Sequence, residues 1–237
     1  MDTFGQRRLS VLPNSSSVAL PDIEMTITAR NNYDTHLFSL LKVGDDFVMS
    51  FSNKENAYGD FDNLVLPGTK TVGTLCRVLE TEKVGEGYRV KVIGKCAVDL
   101  TDFNIDSVSN TVMANVNVRP TYDREDSKIY EMLGRFATNY SSLRGKYAQL
   151  PELPDFSQTV SDVRFIPFHI AAFLNTSNFN KQIVLEEKDP IERFRILIND
   201  LDRFNLDSKV EFDIQQKVSE AIDKNQREYV LREKMRS

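Results

Sequence analysis

Between Asp22 and Arg30 apolar and polar residues alternate without a break: Ile23, Met25, Ile27 and Ala29 fall on one face, and Glu24, Thr26, Thr28 and Arg30 on the other. A period of two belongs to a strand with one buried and one wet face, so this segment predicts a half-buried β-strand. The same period recurs at Phe47, Met49 and Phe51, at Tyr88, Val90 and Val92 with Arg89 and Lys91 facing out, and at Val112, Ala114, Val116 and Val118. Val72 to Leu79 alternates less cleanly. After it, Val84-Gly85-Glu86-Gly87 supplies residues that tolerate φ > 0, which predicts the loop of a hairpin. Between the first two strands, Leu37, Leu40 and Leu41 stand at helical spacing within Tyr33 to Leu41 and predict a short crossover helix. Short strands this close together predict an antiparallel sheet curled into a small barrel or sandwich.

After Pro120 the period changes. Ile129, Met132, Leu133, Phe136, Tyr140 and Leu143 recur at i, i+3, i+4 and i+7, which predicts an amphipathic helix over Asp126 to Leu143 that Pro151 and Pro154 bring to a stop. Val160 to Leu174 and Lys181 to Leu185 read as shorter helices. Pro190 stands at a first-turn position for another helix, through Phe194, Ile196, Leu197, Leu201 and Phe204. From Asp207 to Ser237 a narrow stripe of Val210, Ile214, Val218, Ala221 and Ile222 fades among seven acidic and seven basic residues. As one helix this segment would reach roughly 45 Å, too far to lie wholly against a small bundle, so it is expected to project or to pair with another helix. No Gly or Pro follows Ile191 to end it, and the expectation is that Ser237 is a cut point in a longer polypeptide. The organisation is α+β: a β-rich unit over 1–119, a helical unit over 120–206 and a long helix over 207–237. Glycine usage agrees, with eight of ten at or before Gly94.

Composition narrows the function classes. A chain of 237 residues with 41% hydrophobic content can bury a core. Its net charge is −5, and 12 basic against 15 acidic residues in 1–120, then 18 against 20 in 121–237, leave neither half basic, which disfavours a dedicated polyanion-binding domain and leaves room only for a local basic patch. No apolar run approaches the ~20 residues of a membrane span, and nothing at the N-terminus has the form of a signal peptide. The two cysteines, Cys76 and Cys96, lack metal-knuckle or redox spacing. Strand register would set Cys76 near Ile93 rather than Cys96, so free, buried thiols in a cytoplasmic protein are expected.

Catalytic patterns fail one by one. Gly68-Thr69-Lys70, Gly94-Lys95 and Gly145-Lys146 lack the earlier glycine and following Ser/Thr of a phosphate-cradling loop. No serine sits in a nucleophile-elbow pattern, and His36 and His169 fall in apolar helical settings where a packed, hydrogen-bonded histidine is the usual outcome. Asp45-Asp46 and Glu186-Glu187 are sequence neighbours whose side chains splay apart, so they read as solvated charge rather than a cation site. No catalytic residue and no metal site is expected.

Several segments resemble the amino-terminal region of the Lon family of ATP-dependent serine proteases. Gly73-Thr74-Leu75-Cys76-Arg77-Val78 is similar to the family's Gly-Thr-x-x-x-Ile strand, and Val92-Ile93-Gly94 to its Val-x-Gly turn. Lys181-Gln182-Ile183-Val184-Leu185-Glu186 followed by Glu192-Arg193 is similar as well, and Gln226-Arg227-Glu228-Tyr229-Val230-Leu231-Arg232-Glu233 resembles the segment entering the ATPase module. Lys95-Cys96-Ala97 stand where the family usually has an arginine after the turn, so no role of that arginine carries over. The resemblance implies a PUA-like β subdomain, a helical bundle and a linking helix. It also implies a parent with ATP, Mg and a homohexameric ring, whose phosphate loop and Ser-Lys dyad lie beyond Ser237. This segment would itself need no cofactor. It would capture unfolded or tagged proteins and deliver them to the ATPase ring.

Capture of many sequences calls for adaptable apolar contacts. Phe165, Phe168 and Phe173 crowd a proline-interrupted region and are candidates, although core packing is the commoner fate of a phenylalanine. Tyr229 and Met235 interrupt the charged terminal segment and are candidates for substrate contact or for contact with an ATPase module. The reading from a different class is a stand-alone PUA-like module for RNA or peptide.

Overall fold

The alternating segments of the first half pair with one another in one six-stranded sheet. A computed structural model describes residues 7–52 and 69–206. In chain order the elements are β1 (Arg7–Asn14), β2 (Glu24–Thr28), α1 (Asn32–Leu40), β3 (Asp46–Ser52), β4 (Thr69–Val84), β5 (Gly87–Ile105) and β6 (Val112–Val118). The lateral order is β2-β5-β4-β3-β1-β6, and β6 also pairs with β5, so the path β5-β4-β3-β1-β6 returns to its start. The length of β5 permits this: its first half lies against β2 (Met25↔Val92) and its second half against β6 (Leu100↔Val116). Register shifts at Leu75/Cys76, Val78/Glu80 and Thr101/Asn104 mark irregularities of the kind that let long strands bend. The hairpin turn falls where the glycines predict it, with Val84 paired to Gly87 and Gly85 at φ 61°.

Two expectations need correction. The segment Arg7–Asn14 was not an expected strand, yet β1 lies between β3 and β6, and its pairing with β3 (Val11↔Val48) is parallel, so the sheet is not wholly antiparallel. Its residues from Val11 to Asn14 are buried in succession, and alternation is lost wherever both faces of a strand are covered. A parallel neighbour needs a long connection, and residues 15–45, carrying β2 and α1, provide it. Gly94, expected at a turn, sits inside β5. A side chain there would meet the Leu20 carbonyl oxygen at 2.1 Å, so the missing Cβ lets the segment before β2 press against β5, where Asp22 N–H donates to the Gly94 carbonyl at 2.9 Å.

The helical half comprises α2 (Asp126–Lys146), α3 (Phe156–Thr159), a 3-10 turn (Val163–Phe165), α4 (Ile166–Phe173), α5 (Asn178–Glu186) and α6, which runs over 190–206 within the described residues. The single helix expected over Val160 to Leu174 is therefore broken. Val160 is extended, Asp162 caps the 3-10 turn by accepting from Arg164 N–H at 2.8 Å, and Pro167 fits the first turn of α4. The long helix expected over 207–237, with Tyr229 and Met235, lies outside the described residues.

Two apolar cores result. One fills the curled sheet beneath α1, from Val11, Leu12, Phe47, Val90 and Val92 to Leu37 and Phe38. The other lies between the sheet and the helices, where Val18, Leu20, Val72 and Ala97 meet Ile129, Phe136, Phe168, Val184 and Phe194. Polar contacts tie the halves together. Arg119 donates to the Glu186 carbonyl at 2.7 and 3.1 Å and pairs with Asp99 at 2.5 Å, and the buried Gln182 donates to the Val72 carbonyl at 3.0 Å. Arg193, 1% exposed, lies 4.3 Å from the centre of the Phe168 ring and donates to the Glu187 carbonyl at 2.8 Å. Burial lowers its pKa to about 10, partly offset by the charges of Glu187 and Asp189.

Candidate functional site

The helical half holds a cavity of ≈ 470 Å³, built by the ends of four elements. The amphipathic stripe of α2 runs into it, so that Tyr140 and Leu143 form one wall. The loop after α2 supplies Leu150 and Pro151, held in place because Tyr140 donates its hydroxyl to the Pro151 carbonyl at 2.8 Å. Phe173 and Leu174, at the end of α4, form the opposite wall, where the Phe173 ring meets Tyr140 edge-on at 5.9 Å and Phe156 at 6.1 Å. Leu201 and Phe204 of α6 complete the enclosure, and Phe204 packs edge-on with Tyr147 at 5.9 Å.

Its polar groups come from the α4–α5 connection and from α6. Asn175 takes the left-handed conformation (φ 48°) that turns the chain, and Ser177 caps α5 by accepting from Asn180 N–H at 3.2 Å. Asn180 in turn donates its side-chain amide to Oδ1 of Asp200 at 2.8 Å. The other carboxylate oxygen of Asp200 and the hydroxyl of Thr176 are buried and have no hydrogen-bond partner among the described residues. Burial pushes the Asp200 carboxyl above the usual carboxylate range, partly offset by the charge of Arg203 and the bond from Asn180. Burial likewise lowers the Lys181 ammonium, which donates to Asn175 Oδ1 at 3.2 Å. The cavity is thus apolar-walled with a polar side, and Phe204, which lines it, is 43% exposed.

Of the residues expected to bind, Phe173 lines this cavity. Phe165 is half-buried with its ring tilted against Phe168 at 6.1 Å, and Phe168 is 1% exposed beneath Arg193, which makes it a core residue. Neither ring borders the cavity. Sequence reasoning placed Tyr140, Leu143, Leu201 and Phe204 on apolar stripes but not at one opening, and it did not single out Thr176, Asn180 or Asp200. Asp200 stands one residue before Leu201 on the buried stripe of α6, and that polar intrusion was the available signal.

A second cluster lies one helical turn earlier on α4, at His169, whose ring meets the same Phe156 as Phe173 does. Asp22 accepts from Ser161 Oγ at 2.8 Å through one oxygen and meets His169 Nε2 at 2.9 Å through the other. The carboxylate lies between serine and histidine, so the histidine does not reach the hydroxyl and the geometry is not that of an acyl-transfer triad. Although burial opposes ionisation, the bonds from His169 and Ser161 hold Asp22 below the usual carboxylate range. Its contribution is to join the sheet half to α4. A shallow acidic recess at Asp123, Asp126 and Asp162 contains Arg164, which pairs with Asp162 at 2.5 Å. Among the described residues no group of three His, Cys, Asp or Glu side chains has the arrangement of a metal site, and no helix is long and apolar enough to cross a membrane.

Residues 8–203 match a family model described as the ATP-dependent protease La (LON) substrate-binding domain. Across the whole chain the sequence is 25% identical to Lon protease 1 of Thermus thermophilus, and over 94% of its length it is 26% identical to Lon protease of Citrifermentans bemidjiense. The chain spans 30% and 28% of the length of these curated relatives. Among solved structures, the N-terminal domain of the Mycobacterium avium complex Lon protease superposes with a TM-score of 0.59 at 14% identity, covering 83% of this chain and 98% of that one. The Lon N-terminal domain protein from Xanthomonas campestris gives 0.55 at 16% identity, covering 81% and 98%. At such identities the structural likeness concerns the fold alone.

Proposed function

Because the chain belongs to the family of ATP-dependent protease La (Lon) substrate-binding domains, we propose that it captures unfolded or tagged protein clients in the apolar cavity between α2, α4 and α6. The observation that carries this reading is the cavity itself: aromatic and leucine walls, with Phe204 exposed among them, on a domain of a substrate-binding family. Exposed apolar surface of this kind is costly to keep and is retained where a partner covers it. Phe173 is the wall contact; Phe165, Tyr229 and Met235 are further contact candidates, while Phe168 acts by holding α4 in place.

In this reading the parent is an ATP-dependent serine protease that uses ATP and Mg and works as a cytoplasmic homohexamer. The domain delivers clients along the 207–237 segment to the ATPase ring. Residues 1–119 form a PUA-like closed barrel, supported by the strand pairing that returns from β6 to β5, and residues 120–206 form the helical subdomain that carries the client site.

The test is fluorescence anisotropy of a permanently unfolded protein, reduced and alkylated, titrated with the 237-residue chain. Saturable binding that is absent with the same protein in its native form, and that weakens at least fivefold in Phe204→Ser with the fold intact, is the expected result. Equal binding by wild type and by Phe204→Ser/Phe173→Ala would remove the cavity as the site.

A further inference from the structure

β2 pairs with β5 and with no other strand among the described residues, so one of its sides is an open sheet edge. Two bonds at its ends fix which backbone groups face β5. The Gly94 N–H donates to the Ile23 carbonyl at 3.1 Å, and the Ala29 N–H donates to the Tyr88 carbonyl at 2.8 Å. In an antiparallel ladder residues that face the partner alternate with residues that face away, so Ile23, Met25, Ile27 and Ala29 face β5. The N–H and C=O groups of Glu24, Thr26 and Thr28 point to the open side, and all three residues are exposed. From Glu24 to Thr28 the strand holds register without a shift and contains no proline and no lysine, so it lacks three devices that blunt an open edge.

A row of alternating donors and acceptors is matched by another strand, and the side chains beside it select which one. A second copy of β2, laid antiparallel with a two-fold axis at Thr26, sets Thr26 against its counterpart and Glu24 against Thr28 of the second copy. Threonine pairs across strands are favourable, and no like charges meet. On this outer face Arg89 stands next to Thr28 in β5. Glu24 of the second copy then lies across a short threonine from that guanidinium, about 10 Å away between Cβ atoms, a span that an extended arginine and glutamate close together. Among the described residues Arg89 uses only Nη1, towards Glu82 at 3.3 Å, and Glu24 uses only Oε2, towards Lys91 at 3.1 Å. Exposed pairs of this kind hold their groups weakly, so both remain able to reach a new partner. On the inner face Met25 comes opposite Ile27 of the second copy and continues the apolar side of the sheet.

We propose that two copies of the chain associate through the open edge of β2, antiparallel about Thr26, so that one sheet runs through both. The backbone ladder supplies the attraction, and the Glu24–Arg89 crossing, made twice by symmetry, sets the register. The ladder is short, and it suits copies already held close to one another.

The test is sedimentation velocity of the full 237-residue chain over a concentration series, with solvent exchange of single amides read by NMR on the same samples. An interface this small is expected to give a dimer that half-forms near about 0.1 mM. At about 0.5 mM the amides of Glu24, Thr26 and Thr28 should then exchange roughly threefold more slowly than in dilute solution. Thr26→Pro removes an outward N–H and no bond to β5, so it should abolish the dimer and leave the fold, checked by circular dichroism, intact. Independently, Glu24→Arg should weaken the dimer by setting like charges across Thr28, and Glu24→Arg/Arg89→Glu should restore it. A monomer throughout the series, a dimer that survives Thr26→Pro, or a charge-swapped double variant no more dimeric than Glu24→Arg overturns the proposal. Protection of the three amides that ignores concentration and appears only when the reduced and alkylated protein is added overturns it as well, and gives the edge to a client strand instead.

Discussion

Asp22 and His169 are 147 residues apart and meet at 2.9 Å, joining the segment before β2 to the middle of α4. Asp22 holds φ 64°, a left-handed conformation that aspartate and asparagine tolerate better than most residues. Asp22→Asn therefore tests the carboxylate without adding backbone strain. It should lower the free energy of unfolding by about 1–3 kcal/mol, as measured by urea denaturation at neutral pH. Because the folded-state pKa lies below 3.8, this contribution is complete above that value and is lost as the pH falls through the lower folded value. An unchanged urea midpoint would show that the two halves are held without this contact.

Gly94 is expected to be intolerant of any side chain. Its Cβ would stand 2.1 Å from the backbone oxygen of Leu20, where no flexible side chain can move aside. Gly94→Ala should cost upwards of roughly 2 kcal/mol and lower the melting temperature by several degrees. A variant that melts with the wild type would mean that the Leu20 segment is free to withdraw from β5.

Arg193 spans Phe168 and the Glu187 carbonyl, and also donates to Thr121 Oγ1 and the Arg164 carbonyl at 3.4 Å each. Lysine cannot present a planar face to the ring or reach the same acceptors together, so Arg193→Lys should destabilise by about 1–3 kcal/mol despite keeping the charge. Differential scanning calorimetry is the check, and a Lys variant as stable as wild type would reduce Arg193 to a space-filler.

Cys76 is fully buried, and burial pushes its thiol up to about 12; burial and the charge of Asp46 also raise Cys96, which is only half-buried. Since the thiolate is the nucleophile, iodoacetamide at pH 8 should label Cys96 slowly and leave Cys76 unmodified until urea unfolds the chain. Peptide mass spectrometry reads the outcome. Prompt modification of Cys76 in native buffer would show that the sheet opens on the labelling timescale.

Much of the fold was legible because one covered face imposes a readable period. Ile27, Val90, Val92, Val112 and Ala114 alternate and are buried, and Ile129, Met132, Phe136, Tyr140 and Leu143 repeat helically and form the buried stripe of α2. β1 was not legible, because burial of Val11 through Asn14 on both faces erased the alternation that marks a strand. The break before α4 was missed for a related reason: apolar spacing from Val160 to Leu174 satisfies a helix, while the cap from Asp162 and Pro167 decide where it starts.

The sequence by itself determined the division into a β-rich and a helical half, the hairpin glycines, the amphipathic stripes and the motifs that resemble the Lon family. Those are properties of neighbours along the chain, where spacing alone sets which face a side chain occupies. Only the tertiary structure decided that Phe168 closes over the core while Phe173 borders a cavity, and that Thr176 and Asp200 each bury an oxygen without a hydrogen-bond partner among the described residues. Whether an oxygen is satisfied depends on every group within about 3.5 Å of it. In a packed protein those groups arrive from segments tens of residues away, so the pairing is fixed by packing and not by local pattern.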